Sequence, residues 1–363
     1  MGEQCVRCLA RPDFPDQGRR NGRLSARSKL RLGWQAVREA ARWRPDLTIA
    51  THLNLGPIAW SVASLARRPY WIVVYGIEAW SALPGTKRAA LRQADRVIVI
   101  STFSREQVAR RHQINGERLA SLPCTLDESL LMRVAKYGDP GQRDWLSSWS
   151  LPWQGSPDFP PSQSAVTGNK RVVLTVGRMA ASERYKGHEV VLRALPSVVA
   201  KIPDLTYVVV GDGDDRPRLE KLAGESELRE HVVFTGEVSD SELAAFYQRS
   251  EVFVLPARTV VDDHDPKGEG FGIVFLEAMA FGKPVVGPNY GAPVELVRDG
   301  ETGLLVDPEN PASVGEALLS LLTNPDRGRE MGNAGSEWVR RNYSYGSFRE
   351  RLREMLLSPA PCG

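Results

Sequence analysis

Residues 267–284 constrain this chain more than any other stretch. They read Lys-Gly-Glu-Gly-Phe-Gly-Ile-Val-Phe-Leu-Glu-Ala-Met-Ala-Phe-Gly-Lys-Pro. Just upstream, residues 252–256 (Val-Phe-Val-Leu-Pro) carry the signal of a buried strand. Gly268, Gly270 and Gly272 then allow a tight turn and a close backbone approach to a ligand. Residues 273–280 favour helix, and Gly282 with Pro284 supplies a stop. The order is strand, loop, glycine turn, helix. The open N–H groups and the dipole of such a helix start form a seat for an anion, with a phosphate as the natural occupant.

Two carboxylates flank that seat. Glu269 lies in the turn and Glu277 about one turn inside the helix. A carboxylate repels phosphate, so these two need other partners. Each can accept two hydrogen bonds from neighbouring hydroxyls, as sugar and ribose diols present them. Taken singly, Glu269 could be a solvated loop residue and Glu277 a helix residue paired with a Lys. Around one triple-glycine turn, the pair points to a nucleotide-sugar.

The run Gly-Glu-Gly-Phe-Gly-x-x-x-x-Glu-Ala-Met-Ala-x-Gly-x-Pro-Val, residues 268–285, places seven residues between Glu269 and Glu277. It resembles the E-x7-E signature of the family-4 glycosyltransferases, retaining enzymes of the GT-B fold. The resemblance implies an α/β chain of two doubly wound, Rossmann-like domains with a cleft between them. It extends over about residues 45–357.

With 363 residues, 42% apolar and 25% charged, the chain has the size and composition of a soluble two-domain protein. No apolar run approaches the roughly 18 residues of a membrane span, and the start lacks a signal-peptide core. A net charge of +3 does not argue for nucleic acid. Basic residues do crowd residues 1–45. Of the cysteines Cys5, Cys8, Cys124 and Cys362, the first two have metal or redox spacing, but no second pair or nearby His completes a site. Free thiols in a reducing cytoplasm are expected.

Along the chain, residues 24–43 have helical periodicity. Leu30, Trp34, Val37 and Ala41 form the expected buried stripe, and most of the arginines lie elsewhere. Strands are expected at 47–50, 71–74, 96–100 and 119–122, with helices at 57–66, 87–94 and 104–111, the last capped by Ser101 or Thr102. Residues 138–170, rich in Gly, Pro, Ser and Trp, read as a linker with an insertion. The second half repeats the alternation, with strands at 172–176, 207–210, 232–235, 252–255, 284–286 and 303–306. Such alternation implies parallel doubly wound sheets whose ligands sit at the carboxyl edge. The expected domains are 1–165 on the acceptor side, 170–342 for the nucleotide-sugar, and a helix at 343–363 that returns to the first. Family members begin with a strand and glycine-rich loop ahead of the 47–50 strand. None is legible before Leu24, so the first domain is expected to lack its opening strand-helix unit.

Further positions follow from the resemblance. Gly177-Arg178 and Lys186 fall on the Arg and Lys that hold the diphosphate, where fixed cations stabilise the charge developing on the leaving group. Gly236 and Val238 fall near the base. The N–H groups around Gly270, Phe271, Gly272 and Ile273 would hold phosphate, Glu277 the ribose and Glu269 the donor sugar. Glu295 matches a turn beside the site, though a surface Glu fits as well. Gly211 and Gly213 read equally as ordinary strand-to-helix turns. In the first half, Tyr75 stands where the family usually has a His near the transferred sugar. Glu78, His52 and Asn54 could line the same side, although a lone His there is more often structural. The expected activity is transfer of a sugar from a UDP- or GDP-sugar to a glycan or lipid-linked acceptor with retention, without metal or other cofactor and without nucleic acid. Peripheral contact with the inner face of a membrane would suit the basic 24–43 segment. Two alternatives stay open: a non-catalytic nucleotide-sugar binder and a sugar-nucleotide epimerase of the same architecture.

Overall fold

The computed structural model of the protein describes residues 26–126 and 170–358. The expected linker at 138–170 apart from Lys170, three of the four cysteines and residues 1–25 lie outside the described residues.

The first sheet is parallel, in the order β1 (Thr48–Ala50), β2 (Tyr70–Val74), β3 (Arg96–Val99), β4 (Leu119–Ser121). Among the described residues no strand precedes β1. Helices α2 (Gly56–Ala66), α3 (Gly85–Gln93) and α4 (Thr102–His112) connect the strands. Ser101, rather than Thr102, caps α4 by accepting the Ser104 N–H.

Strand alternation sorts the apolar side chains of this sheet. Ile72, Val74, Val97 and Val99 face α2 and α3, together with Ala59, Ala63, Ala90 and Leu91. Trp71, Ile98 and Leu122 face the other way and meet Met355, with Phe348 and Leu352 packed alongside.

The second sheet has six parallel strands in the order β10-β9-β8-β5-β6-β7. These are β5 (Arg171–Val176), β6 (Leu205–Val210), β7 (Val232–Gly236), β8 (Val252–Val254), β9 (Val285–Pro288) and β10 (Gly303–Val306). Both faces are covered, so the strands are near-continuous apolar runs. Val173, Val209 and Phe234 pack under α5 (His188–Val199), α6 (Arg216–Glu225) and the later α9 (Pro311–Leu322). Val172, Leu174 and Phe253 pack on the opposite side with α7 (Asp240–Arg249) and α8 (Ile273–Ala280). Helix α10 (Pro325–Asn342) then leads through Tyr343 to α11 (Tyr345–Leu357).

Helix α11 is the returning helix, and it covers the open face of the first sheet. Arg96 donates to the Met355 carbonyl, and its guanidinium lies 4.9 Å over the Trp71 ring. The crossing chain is also tied at Thr125, whose Oγ1 donates to the Tyr343 carbonyl at 2.7 Å.

One expectation is corrected. In α1 (Ala26–Trp43) the buried residues are Ala36 and Ala40, which with Val37 meet Val62 and Ile58 of α2. Trp34 is 65% exposed and Ala41 is exposed too, while the Leu30 side chain lies outside the described residues. Small residues let the two helices approach closely, and that turns the large ring outward, where Arg38 lies 5.0 Å above it.

The seam between α11 and the first sheet yields a stability prediction. Met355 is the buried anchor of that seam, so Met355→Ala should cost roughly 2–3 kcal/mol in urea unfolding through the lost burial and the cavity left behind. An unchanged midpoint would mean that α11 contributes little to the first domain.

Candidate active site

The expected strand-turn-helix is present, and α8 begins at Ile273. Its N-cap is Gly272, with φ of +96°, a left-handed conformation that a side chain would strain. No side chain caps this helix, and the Phe275 N–H turns back on the Gly272 carbonyl at 3.0 Å, so the N–H groups ahead of it are the ones left for a ligand. Gly270 has a different reason to be glycine. A Cβ there would run into the carbonyl oxygen of Tyr75, on the first domain. Phe271 turns its ring into the core against Tyr343, and Ile273 stands exposed at the helix start.

Beside this turn lies the loop after β5. Lys186 Nζ donates to Glu269 Oε1 at 2.7 Å, and both side chains are largely shielded, at 13% and 15% exposure. Residues 83 apart in sequence are thus joined in one ion pair. Arg178 pairs with Glu183, and the other oxygen of Glu183 is 3.8 Å from Lys186 Nζ. The two cations and two carboxylates form one cluster at the carboxyl edge. A Cβ on Gly177 would be in contact with the Lys186 side chain, so Gly177 borders it. Burial pushes the Tyr185 phenol far above its usual range, helped by the charges of Glu269 and Glu183.

The clamp loop is braced from beneath. His188 Nε2 lies 3.2 Å from the Arg178 carbonyl, so it donates there and leaves Nδ1 unprotonated and without a hydrogen bond. The Met179 N–H donates to the Asp212 carbonyl at 2.9 Å, and the Asp215 N–H to the Met179 carbonyl at 2.8 Å. Asp214 accepts the Ala181 N–H at 2.7 Å, and Asp215 pairs with Arg184 and Arg218. The Gly211–Gly213 turn therefore serves as backbone support for the clamp.

Glu277 is held by a residue that sequence reasoning passed over. Tyr247 Oη donates to Glu277 Oε2 at 2.7 Å. Tyr247 is fully buried and stacks on Phe281 at 5.4 Å. One carboxylate oxygen is thereby committed and the other is left for a ligand. Burial raises the Glu277 pKa above the usual carboxylate range, the Tyr247 bond opposes this, and Asp240 adds to it. Gly236 accepts the Gly211 N–H through its carbonyl at the end of β7, and Val238 beyond it packs on the cluster containing Tyr247 and Phe275.

On the first domain, Tyr75 is exposed at the end of β2, with its ring 6.0 Å from that of His52. Glu78 accepts the Tyr75 N–H at 2.6 Å and shapes the turn. His52 Nδ1 accepts the Asn54 N–H at 3.0 Å, and the Asn54 side chain accepts from Lys87 at 2.5 Å. Tyr75 adjoins the glycine turn, whereas Asn54 and Glu78 have local partners. Glu295 is not a solvated surface residue. Both its oxygens accept the Thr102 N–H, at 2.9 and 3.0 Å, across the cleft at the start of α4. Burial raises its pKa, and the bonds from Thr102 oppose the rise.

Comparison with known proteins assigns this architecture. Residues 159–338 match the model of the glycosyl transferases group 1. That stretch, just under half of the chain, is similar to the group 1 glycosyl transferases. It is 36% identical over 189 residues to a GDP-mannose-dependent alpha-(1-6)-phosphatidylinositol monomannoside mannosyltransferase of Mycolicibacterium smegmatis, covering 52% of this chain and 48% of that protein. The chain thus spans about half the length of that relative. Alpha-D-kanosaminyltransferase of Streptomyces kanamyceticus is 28% identical over 73% of this chain and 61% of its own. Among solved structures, HepE of Anabaena in complex with UDP is 19% identical with a TM-score of 0.72, covering 90% of this chain and 82% of that one. Sucrose-phosphate synthase of Thermosynechococcus elongatus is 22% identical with a TM-score of 0.68, covering 95% and 86%. These likenesses bear out the expected GT-B fold.

The brace beneath the clamp carries a pH dependence. Burial holds the His188 imidazole down at about 4, the Arg178 carbonyl opposes this, and the Lys186 charge adds to it. The folded state keeps this ring neutral while the unfolded chain protonates it near 6.5. Stability is therefore full above that value and is lost as pH falls from about 6.5 towards about 4. By pH 5 the loss from this one group should reach about 2 kcal/mol. Urea unfolding at pH 7.5 and 5 should show a smaller drop for His188→Gln than for the unsubstituted protein. Equal drops would mean another group carries the effect.

Proposed function

We propose that this protein transfers a sugar from a nucleoside diphosphate donor to a hydroxyl acceptor, with retention at the anomeric carbon. The observation that carries the reading is the convergence of the Arg178, Lys186 and Glu269 side chains beside the uncapped start of α8. A diphosphate bound there meets two cations and a helix N-terminus, all aimed at charge that grows as the glycosidic bond breaks. These cations take the role that a metal plays elsewhere, so the reaction is expected to run without one.

In this reading Glu277, oriented by Tyr247, accepts the ribose hydroxyls through its remaining oxygen. Gly236 and Val238 border the base. Glu269, once Lys186 turns to phosphate, accepts hydroxyls of the donor sugar. Tyr75, with His52 behind it, faces the sugar from the first domain. The acceptor hydroxyl attacks from the side the diphosphate leaves, and the departing phosphate oxygens can take its proton, so no protein nucleophile is needed.

GDP is favoured as the nucleotide by the mannosyltransferase relatives and UDP by the HepE complex. A lipid-linked acceptor is favoured by the phosphatidylinositol named for the former. A cytoplasmic protein that touches an anionic membrane through the α1 arginines and the exposed Trp34 fits that acceptor. No helix among the described residues is long and apolar enough to cross a membrane.

The deciding assay incubates the protein with UDP- and GDP-sugars in EDTA, without added metal, and measures nucleoside diphosphate release and product configuration. Arg178→Ala and Lys186→Ala should each lower turnover about a hundredfold or more; melting should change little for the exposed Arg178 and should fall for Lys186→Ala, which leaves the shielded Glu269 without its partner. Near-normal turnover in both would overturn the clamp. A protein that binds these donors without turning them over would be a nucleotide-sugar binder instead.

The carboxylates separate by ligand. Glu277→Gln should weaken binding of free UDP or GDP, while Glu269→Gln should weaken only the intact donor. Calorimetric titration that finds equal losses of free nucleotide for both would undo the assignment of ribose and sugar.

A further inference from the structure

Glu183 has no part in holding a nucleotide-sugar, yet it sits inside the cluster meant for the diphosphate. Its side chain is 13% exposed, it pairs with Arg178, and it stands 3.8 Å from Lys186 Nζ. Its second oxygen is buried and accepts no hydrogen bond. Such an arrangement is unfavourable for an ionised carboxylate unless the nearby cations stay close.

Its backbone is anchored independently of those cations. Glu183 lies at the kink of the 3-10 turn Ala181–Lys186, with φ of −114° and ψ of 24°. The turn is fixed by Ala181 on Asp214, by Arg184 on Asp215 and by the Glu183 N–H on the Ala180 carbonyl at 2.8 Å. Arg178, by contrast, is 60% exposed and has a long side chain free to swing. When Arg178 moves to a diphosphate, Glu183 stays where it is.

We infer that Glu183 is a resident counter-anion that occupies the clamp when it is empty and drives the nucleoside diphosphate product out of it. The inference rests on the proposed function and deepens it: Glu183 is a positioning residue that acts through Arg178 and Lys186. In the empty site it neutralises the cations. In the loaded site its fixed negative charge lies beside the phosphates in a poorly solvated setting. Bond cleavage leaves the diphosphate about one charge more negative than it was in the donor. The repulsion therefore acts more strongly on the product than on the donor, and release is favoured over retention.

The test is calorimetric titration of the full chain at pH 7.5 with GDP, UDP, GDP-mannose and UDP-glucose, on the unsubstituted protein, Glu183→Gln, Glu183→Ala and Glu183→Asp. For whichever nucleotide the unsubstituted protein binds, the Gln and Ala variants should bind the free diphosphate roughly tenfold more tightly, and the intact donor more tightly by a smaller factor. Glu183→Asp, which keeps the charge, should stay near the unsubstituted value. A merely structural loss would weaken binding, so tightening separates the two roles. Unchanged or weaker diphosphate binding in a cooperatively melting Gln or Ala variant overturns the inference, as does equal tightening in the Asp variant. If neither nucleotide binds the unsubstituted protein, the proposed function itself fails and this inference falls with it.

Discussion

The site depends on the ion pair between Lys186 and Glu269. Lys186 belongs to the loop after β5 and Glu269 to the loop after β8, and these two strands are neighbours in the second sheet. From β5 the chain runs outward to β6 and β7 on one side, then returns to β8, β9 and β10 on the other. The connections that leave β5 and β8 therefore diverge, and a crevice opens between them at the carboxyl edge. The ion pair spans that crevice. Both side chains are shielded, so deleting either partner strands a charge in a poorly solvated place, which costs far more than loss of a surface pair. A ligand that replaces each partner with something of the right charge avoids that cost. In the proposed reaction a diphosphate would do so for Lys186, and sugar hydroxyls would do so for Glu269.

The braces around the pair follow from the same topology. The loops after β5 and β6 lie side by side, so Met179, Ala181 and Arg184 find their partners among Asp212, Asp214 and Asp215. Asp214 serves here as a backbone acceptor for the clamp loop. His188 closes the arrangement from the start of α5, neutral because it is buried.

Much of this was legible in the amino-acid sequence, for identifiable reasons. The strands of the second domain are apolar on both faces, so they stand out as continuous runs. The start of α8 follows from its glycines and its end from Gly282. Other features are invisible without three dimensions. In α1 the large Trp34 looks like the core residue, but Ala36 and Ala40 take that place because the approach of α2 leaves room only for small side chains. Tyr247 fits helical spacing as plain core, and nothing local shows that its hydroxyl reaches Glu277, 30 residues away. Glu183 reads as one more loop charge. Glu295 is separated by 193 residues from the Thr102 N–H that it accepts.

That last contact shows how the first domain takes part. Helix α4 meets the second domain through Thr102 on Glu295, through Phe103 edge-on to Tyr290 at 5.5 Å, and through Arg111 on Asp263. Beside it, Tyr75 and Gly76 touch Gly270 backbone to backbone. The partners in the second domain all come from the loops after β8 and β9. The two domains thus meet on the same glycine turn that shapes the anion seat, and a side chain at position 270 would hold them apart. Tyr75 is thereby fixed beside Gly270, with its ring exposed on the first-domain side of the turn. The contact between the domains and the proposed donor site thus share one stretch of backbone, so a side chain at position 270 would disturb both.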